Sequence, residues 1–430
     1  MEDFVHLHVH TNYSILDGQS KVTRLVDKAI ADGMKGMAIT DHGVMFGIKE
    51  FSDYCAKINK ERKAKGEEPF KPIFGCEMYV ARRSMHDKEK DKHDNSGYHL
   101  IVLAKNYNGY KNLIKLVSHA WVDGYYYKPR TDREELEKYH EDLIVCSACI
   151  AGEVPNKIIR GDIEGAREAC EWYHRVFGDD YYLELQRHEV KDPTLVANRE
   201  AYPLQQKANK VLMQFAKEYG IKLVCTNDCH FEDKETAEAH DHLLCLSTNE
   251  DLDDPKRMRY SKQEWFKTRQ EMNEVFSDVP EAMANTLEIL DKIETYSIDH
   301  GPIMPFFPIP ESFGTEEEWE KKFTEADLYK EFTTDENGLN PLSEEEGKKV
   351  IARLGGYEKI YRIKFEADYL AKLAYDGAKK LYGDPLSEEV KEHIRFELHV
   401  MKTMGFPGYF LIVQDFINAA REDLGVMVGP

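Results

Sequence analysis

The sequence predicts an α/β fold, a distorted seven-stranded barrel followed by a mainly helical segment. Short strand patterns recur seven times between residues 4 and 226, most of them separated by helical patterns. This alternation is typical of parallel strands with crossover helices, which fits either a barrel or a doubly wound open sheet. Residues of the types that bind metals follow the ends of several predicted strands. Because barrels build their sites at that face, we favour the barrel.

The opening stretch, residues 4–11, alternates Val and Leu with His6, His8 and His10. Side chains two apart on a strand share a face, so the three imidazoles are expected to point the same way. A buried imidazole needs a polar partner, and a metal ion supplies one. The alternative interpretation is a partly exposed edge strand whose histidines have no function.

The remaining elements of the barrel follow from apolar spacing. Helical periodicity is present where apolar residues recur every three or four positions, and strands are short apolar runs between turn residues. The predicted helices are 21–33, 48–65, 108–121, 163–177 and 198–219, and the predicted strands after the first are 37–40, 72–80, 98–104, 143–147, 181–185 and 223–226.

Beyond about residue 280 the pattern changes, so we predict two domains, 1–284 and 285–430. Residues 300–310 are rich in proline and predict an extended linker. Charged helices are predicted at 316–331 and 343–349, an amphipathic helix at 387–404, and a turn with an apolar helix at 404–421. The last residues, 425–430, are typical of a strand interrupted at a turn, and we expect the chain to be part of a longer protein.

Composition narrows the possible classes of protein. Hydrophobic residues make up 42% of the 430 residues, which is typical of a folded core, and no segment has the pattern of a membrane span or signal peptide. Eight cysteines without regular spacing favour a reducing, intracellular environment. The net charge of −21 argues against a primary nucleic-acid-binding surface, although bound metals would allow the protein to process a phosphate-bearing end.

The candidate metal ligands share a position near strand ends. Imidazole, carboxylate and one thiolate suit zinc best, with manganese or iron as alternatives, and their number predicts two or three divalent ions bridged by Glu77. Taken singly, His99 is equally a core histidine, Cys149 a small buried hydrophobe and Asp17 a turn residue. The predicted ligands are His8, His10, Asp17, His42, Glu77, His99, Cys149, Asp228 and His230.

A further set of residues is predicted to orient the ligands without binding metal. These are His6, Asp41 and Asn227. His240 and His242 are flanked by acidic residues, so we predict that they lie on a solvated helix face. His240 is also an additional candidate for orienting a ligand.

Several motifs give the chain a specific resemblance. They are FVHLHVHTNYSILDG (4–18), AITDHG (38–43), GCEMYV (75–80), YHLIVLAKNYNGYKNL (98–113), YYYKPR (125–130), CSACIAGE (146–153), TNDCHF (226–231), DDPKRMRY (253–260) and MGFPGYFLIVQDFI (404–417). With these motifs the chain resembles the N-terminal part of the bacterial DNA polymerase III alpha (C-family replicative polymerase) family. That part comprises a polymerase-and-histidinol-phosphatase (PHP) domain and the start of the polymerase palm.

The resemblance implies a PHP-type (β/α)7 barrel with up to three metals on the nine ligands named above. It implies a metal-dependent phosphoesterase that acts as a 3′–5′ proofreading exonuclease. The alternative it leaves open is a structural metal module that stabilises the polymerase and docks a separate proofreading subunit. Some relatives have lost ligands, whereas this chain retains all nine. A free-standing sugar-phosphate or histidinol-phosphate phosphatase is disfavoured by residues 285–430.

For the whole protein the resemblance implies a DNA-directed DNA polymerase, a nucleotidyltransferase of the bacterial cytoplasm. Its expected partners are primer–template DNA, a proofreading subunit and a sliding clamp, with no membrane. The polymerase carboxylates, which would bind Mg²⁺, are expected beyond residue 430, so this chain alone is not expected to polymerise DNA.

Overall fold

The structure is a computed structural model that describes residues 2–301 and 305–429. They form two compact units, Met1–Asp299 and His300–Pro430. The division follows Asp299 rather than residue 284, because the helix Pro280–Lys292 crosses the predicted boundary. This helix buries Ala282 and Ile289 in the core of the first unit.

A curled sheet forms the centre of the first unit. Its strands are β1 (Gly36–Ile39), β2 (Lys71–Ala81), β3 (Gly97–Ala104), β4 (Arg130–Thr131), β5 (Leu143–Cys146), β6 (Tyr181–Leu185) and β7 (Lys222–Cys225). Their order in the sheet is β1-β2-β3-β5-β6-β7, with β4 paired with β2. The pairs β1–β2, β5–β6 and β6–β7 are parallel, as predicted.

Strand β3 corrects the expectation that all strands run parallel. It is antiparallel to both of its neighbours, β2 and β5. The physical reason is the connection between β2 and β3, which contains one short turn of 3₁₀ helix, Lys90–Lys92, and no crossover helix. Antiparallel neighbours need no crossover, whereas parallel neighbours do.

The opening stretch is also different from its prediction, because it forms no regular strand. Only Val9 makes a bridge, with Cys229. The stretch nevertheless has backbone partners on two sides: the Ala38 N–H of β1 donates to the His6 carbonyl at 2.8 Å, and the Cys229 N–H donates to the His8 carbonyl at 3.1 Å. The stretch therefore lies between β1 and the segment that follows β7. The seventh strand is instead the short β4, which the sequence did not indicate.

Helices cover the sheet and bury their apolar faces against it, as Val22, Leu25 and Val26 do in the first helix. The helices of this unit are α1 (Val22–Ala31), α2 (Ile48–Ala64), α3 (Tyr107–Val122), α4 (Arg133–Lys138), α5 (Glu153–Arg160), α6 (Ile163–Phe177), α7 (Ala201–Tyr219), α8 (Ala237–Thr248), α9 (Arg269–Val275) and α10 (Pro280–Lys292).

The described part of the second unit is helical. The helix predicted at 316–331 is divided in two, because Thr324 and Asp327 form a capping box that starts a new helix. The predicted strand at 425–430 is not formed over 425–429, and residue 430 lies outside the described residues, as do 302–304 of the predicted linker. The helices are α11 (Glu316–Lys322), α12 (Glu325–Phe332), α13 (Glu344–Arg353), α14 (Tyr357–Tyr382), α15 (Glu388–Met404) and α16 (Pro407–Asn418).

Over residues 2–301 and 305–429, no helix has both the length and the apolar character needed to cross a bilayer.

Candidate metal centre

The reversed direction of β3 brings its first residues to the metal-ligand edge of the sheet. His99 pairs in register with Tyr79 of β2. Glu77 lies two residues before Tyr79, so it is a diagonal neighbour of His99 on the same face. The His99 Nδ1 and Glu77 Oε1 atoms are 2.7 Å apart. The start of a strand therefore supplies a candidate ligand here, although the other strands supply theirs near or beyond their carboxyl ends.

His8, His10 and Asp228 form one group of candidate ligands whose donor atoms lie within 4.8 Å of one another. The Asp228 Oδ1 atom is 3.0 Å from His8 Nε2 and 3.3 Å from His10 Nε2. Asp228 has a φ of +46°, in the left-handed region that Asp tolerates better than most residues. This turn after β7 brings both Asp228 and His230 into the cluster.

Glu77, His99 and Cys149 form a second group within the same distance limit. The Cys149 Sγ atom is 3.7 Å from His99 Nδ1. Burial raises the pKa of the Cys149 thiol well above its usual value, and the carboxylates of Asp228 and Glu77 raise it further. The thiol therefore keeps its proton unless a cation replaces it.

Asp17, His42 and His230 form a third group. The His42 Nε2 and Asp17 Oδ2 atoms are 2.8 Å apart, and His230 Nε2 is 3.6 Å from the same oxygen. His10 also lies within 4.8 Å of His42 and His230. We assign Asp17 rather than His10 to this group, because Asp17 adds negative charge and the His10 Nε2 atom already faces Glu77 and Asp228.

Glu77 joins the groups. Its Oε1 atom lies 3.4 Å from His8 Nε2, and its Oε2 atom lies 3.4 Å from His10 Nε2 and 2.6 Å from His42 Nδ1. The side chain is 1% exposed. Burial alone would raise the pKa of this carboxyl, but His99 and His42 hold it well below its usual range. A buried, ionised carboxylate with ligands on both oxygens has the geometry of a metal bridge.

The ligand atoms at the centre of the cluster are arranged to bind cations rather than to hydrogen-bond with one another. Several of these nitrogen and oxygen atoms are buried, lie close together at the centre, and have no hydrogen-bond partner within the described residues. Buried polar atoms without partners are costly, and a cation would satisfy all of them together. The unpaired atoms are His8 Nε2, His10 Nε2, Asp17 Oδ1, His42 Nδ1, Glu77 Oε2, Asp228 Oδ1 and His230 Nε2.

Hydrogen bonds on the far side of two imidazoles set their tautomers. The His8 Nδ1 atom lies 2.8 Å from Glu184 Oε1, and the His10 Nδ1 atom lies 2.9 Å from Ser14 Oγ. Ser14 in turn donates to Asp41 Oδ1 at 2.8 Å. Because Glu184 can only accept when ionised, and the Ser14 proton is used on Asp41, both Nδ1 atoms must donate. Their Nε2 lone pairs then face the centre, as metal binding requires.

Of the three residues predicted to orient ligands, only Asp41 acts through this network. The Asn227 side chain points away from the cluster and donates to the carbonyls of Gln263 and Trp265, both at 2.8 Å. It therefore holds the backbone next to Asp228. His6 has no described contact with a candidate ligand, because its Nε2 atom pairs with the Lys267 carbonyl at 2.8 Å and its ring packs on Phe266.

His240 and His242 have different environments. The His240 ring is 2% exposed, and its Nε2 atom lies 2.8 Å from the Asp17 carbonyl oxygen. His240 is therefore placed to hold the Asp17 backbone, whereas His242 is exposed on α8 as predicted.

Glu184 is a site residue that sequence reasoning missed. It is buried on β6, where Thr226 and Gln186 also donate to its Oε1 atom. The available signal was a single carboxylate inside the apolar run Tyr181–Leu185, since a buried carboxylate needs a partner.

Replacing Glu184 with Gln is expected to weaken metal binding by about 10- to 100-fold, because the amide holds the His8 tautomer less firmly than a carboxylate does. Competition with a chromogenic chelator measures this affinity. The exposed Glu189→Gln variant, five residues along the chain, serves as the matched control and should bind like the unmodified protein. Equal affinity in the two variants would contradict the role of Glu184.

The histidines of the cluster have opposite pKa shifts. Burial and the charges of His42 and His230 lower the pKa of His10 to about 3. For His42, burial lowers the pKa, but Glu77 and Asp17 raise it to about 10. His8 behaves like His42, because Asp228 and Glu184 outweigh its burial and raise its pKa well above the ordinary value. The carboxylates therefore attract positive charge, either as protons or as metal ions.

A cavity of about 290 Å³ opens onto the cluster. Candidate ligands from all three groups line it, among them Cys149, Asp228 and His230. Arg259 lines the same cavity, and its guanidinium donates to the carbonyls of Asp254 at 2.9 Å and Pro255 at 3.1 Å. Within the described residues no carboxylate lies within 4.0 Å of Arg259, so its charge is available to an anion in the cavity.

Two protein-family models match parts of the chain. Residues 6–188 match the family described as PHP domain. Residues 368–430 match the family described as bacterial DNA polymerase III alpha NTPase domain. The predicted PHP-type α/β fold with a helical C-terminal part is thereby confirmed.

The relatives that match nearly the whole chain are DNA polymerase III alpha subunits. The DNA polymerase III subunit alpha of Borreliella burgdorferi is 37% identical over 422 residues, which is 98% of this chain and 30% of that protein. The same subunit from Treponema pallidum is 35% identical over 429 residues, 99% of this chain and 30% of that protein. The chain is thus a homologue of DNA polymerase III alpha subunits and spans 30% of the length of these relatives. The resemblance inferred from its motifs is confirmed.

Among solved structures, a two-domain protein from Bacteroides vulgatus shares similarity with the chain. It is described as containing a predicted PHP-like metal-dependent phosphoesterase. The match has 13% identity and a TM-score of 0.30 and covers 66% of this chain and 63% of that chain.

Proposed function

We propose that the first unit is a metal-dependent phosphoesterase that removes nucleotides from the 3′ end of single-stranded DNA. The observation that carries this proposal is the 290 Å³ cavity against the candidate ligands. A purely structural metal site is closed, whereas a catalytic one keeps space for water and substrate. The cavity supplies that space, and the cluster supplies the ligands.

The three groups of ligands would hold two or three divalent metals. Imidazole, carboxylate and one thiol fit zinc best, with manganese and iron as alternatives. Bound metals at such a site neutralise phosphoryl oxygens and lower the pKa of a bound water. The chain itself contributes Arg259, which is placed to pair with a phosphate, and Tyr260, whose hydroxyl donates to Asp17 Oδ2 at 3.1 Å and holds this carboxylate in place.

For the remainder of the chain we propose the role that its relatives suggest. Residues 300–430 would comprise a linker and the start of the polymerase palm. The whole protein would be a DNA-directed DNA polymerase that acts on primer–template DNA together with a proofreading subunit and a sliding clamp. Its Mg²⁺-binding polymerase carboxylates would lie outside this chain.

A second function is favoured by the depth of the ligands. His8 and His10 are fully buried and Glu77 is 1% exposed. Metals held this deeply would brace the fold, and the unit would then serve as a structural module that docks a proofreading subunit.

A metal-dependence assay separates the two functions. The chain is stripped with a chelator, reloaded with zinc, manganese or iron, and given a 5′-labelled single strand beside a small phosphomonoester. We expect the strand to shorten from its 3′ end only after reloading. If no metal restores hydrolysis while chelation still lowers the melting temperature, the structural function is correct and the exonuclease is not.

A further inference from the structure

An exposed group of aromatic rings lies at the end of α3 and in the loop after it. Trp121, Tyr125 and Tyr127 are 44%, 47% and 57% exposed, and we call these three side chains the aromatic platform. The rings of Trp121 and Tyr125 stack, with centroids 5.5 Å apart and planes inclined by 17°. Large rings exposed together indicate a binding surface.

The aromatic platform is attached to the metal centre. The Trp121 indole N–H donates to the carbonyl of Gly43 at 2.8 Å, and Gly43 directly follows the candidate ligand His42. Gly43 has a φ of +62°, and a Cβ there would lie 2.8 Å from Pro129, so the loop that follows α3 packs tightly on this residue. The platform is therefore a neighbour of the cluster.

The loop that carries the aromatic platform is held by a buried arginine. The Arg130 side chain is fully buried, and its guanidinium donates to the carbonyls of Gly124 at 3.1 Å, Asp94 at 2.7 Å and Met85 at 2.8 Å. These bonds fix the loop before any ligand arrives. Rings that are ordered in advance bind with a smaller entropic cost.

Two lysines accompany the rings. The Lys128 ammonium lies 5.3 Å from the centroid of Tyr79, and the Lys90 ammonium lies 5.9 Å from that of Tyr127. In the part of the chain that the structure describes, neither ammonium has a carboxylate within 4.0 Å. The only acidic residue in the platform loop, 123–129, is Asp123. In a chain with a net charge of −21, this combination of free lysines and exposed rings suits a phosphate backbone with accessible bases.

We propose that the aromatic platform stacks unpaired bases of a DNA strand whose 3′ end enters the metal centre. The proposal rests on the proposed function and names the surface that presents the substrate. Every base has a flat face that an exposed ring can stack on, so the recognition is independent of sequence. In a duplex those faces are already stacked, so the platform selects frayed or single-stranded ends.

Binding of a 5′-fluorescein-labelled 12-nucleotide strand, measured by anisotropy at low salt, tests this surface. Phosphorothioate linkages at the 3′ end block hydrolysis. Trp121→Ala and Tyr125→Ala are each expected to weaken binding by about 10-fold. Trp121→Phe keeps a ring and should retain most of the affinity. Tyr107→Ala serves as the matched control, because Tyr107 is 43% exposed at the other end of α3.

A strand whose last three nucleotides lack bases completes the test. Stacking predicts that this strand binds the unmodified chain about 10-fold more weakly and that Trp121→Ala has no additional effect on it. Equal binding of the two strands, or no detectable binding of either, overturns the proposal. A protein partner would then be the remaining occupant of the aromatic platform. Because binding is measured without hydrolysis, normal binding by an inactive chain refutes only the exonuclease. Hydrolysis with unchanged affinity in the variants refutes only the platform.

Discussion

Asp228→Asn is expected to lower hydrolysis of the single strand by at least about 100-fold, the largest effect of any single substitution proposed for this chain. The Asp228 Oδ1 atom lies close to the Nε2 atoms of both His8 and His10, so its charge is shared between two imidazole ligands. Asparagine keeps the shape of the side chain but removes the charge. The assay is release of nucleotides from the 3′ end under saturating metal.

The control for Asp228→Asn is Asp253→Asn, at an exposed position outside the cavity lining. Metal content by mass spectrometry and the circular dichroism spectrum are measured in both variants. We expect Asp228→Asn to retain its fold and to lose bound metal, while Asp253→Asn stays fully active. Full activity in a correctly folded Asp228→Asn chain would exclude the assigned cluster as the hydrolytic site.

Much of the cluster was predictable from the sequence, because its ligands occupy short local patterns. His8 and His10 alternate with apolar residues, and His42, Asp228 and His230 lie three to five residues after the apolar runs that form strands β1 and β7. Such patterns depend on the period of a strand and on turn chemistry, which are local. The structure brings all nine predicted ligands together, while their binding of metal stays a prediction.

The other features of the fold and of the site could not be predicted from local sequence patterns, because they depend on tertiary structure. The β2–β3 connection sets the direction of β3, which is antiparallel to β2. The alternation of strands and helices in the sequence indicated a parallel strand instead. Glu184 is far in sequence from the histidine that it orients. His6 shares its spacing with His8 and His10, yet its ring is directed toward Phe266, because the opening stretch is not a regular strand.

The aromatic platform likewise could not be predicted from local sequence patterns. Residues 125–130 form one of the motifs of the family resemblance, but that motif alone does not explain its three tyrosines. Their relation to the metal centre comes from the hydrogen bond between Trp121 and Gly43, a pair that is distant in sequence. Exposure and proximity to a site are therefore properties that only the folded chain provides.

Removing the metals is expected to lower the melting temperature by about 10 °C near pH 8.5 and by less than half of that near pH 6. The larger shift, at pH 8.5, assumes a free metal concentration of about 1,000 times the dissociation constant. At the lower pH, protons on the histidines replace part of the lost positive charge beside Glu77 and Asp228.

The direction of this pH dependence follows from the pKa shifts of the metal-free protein. An unfolded histidine titrates near 6.5, and the pKa of folded His42 is raised to about 10, so its contribution to stability is complete below pH 6.5 and is lost as the pH rises toward 10. The pKa values of Glu77 and Asp228 are held low, so their contribution is present above about pH 4.5 and is lost in acid. These three groups together therefore stabilise the metal-free protein most between about pH 4.5 and 6.5, whereas His10, whose pKa is lowered to about 3, opposes them as the pH falls below 6.5.

In the metal-loaded protein the trend is opposite, because metal binding needs neutral imidazoles and a thiolate at Cys149 and thus tightens as the pH rises. The gap between the loaded and the stripped protein is therefore expected to widen steadily from pH 6 to 8.5. Calorimetry with and without chelator across this range measures it, and Asp228→Asn, which should bind little metal, is expected to show a much smaller gap. A gap that is constant with pH would mean that no proton is exchanged for metal and would refute the assignment of these histidines and Cys149 as ligands.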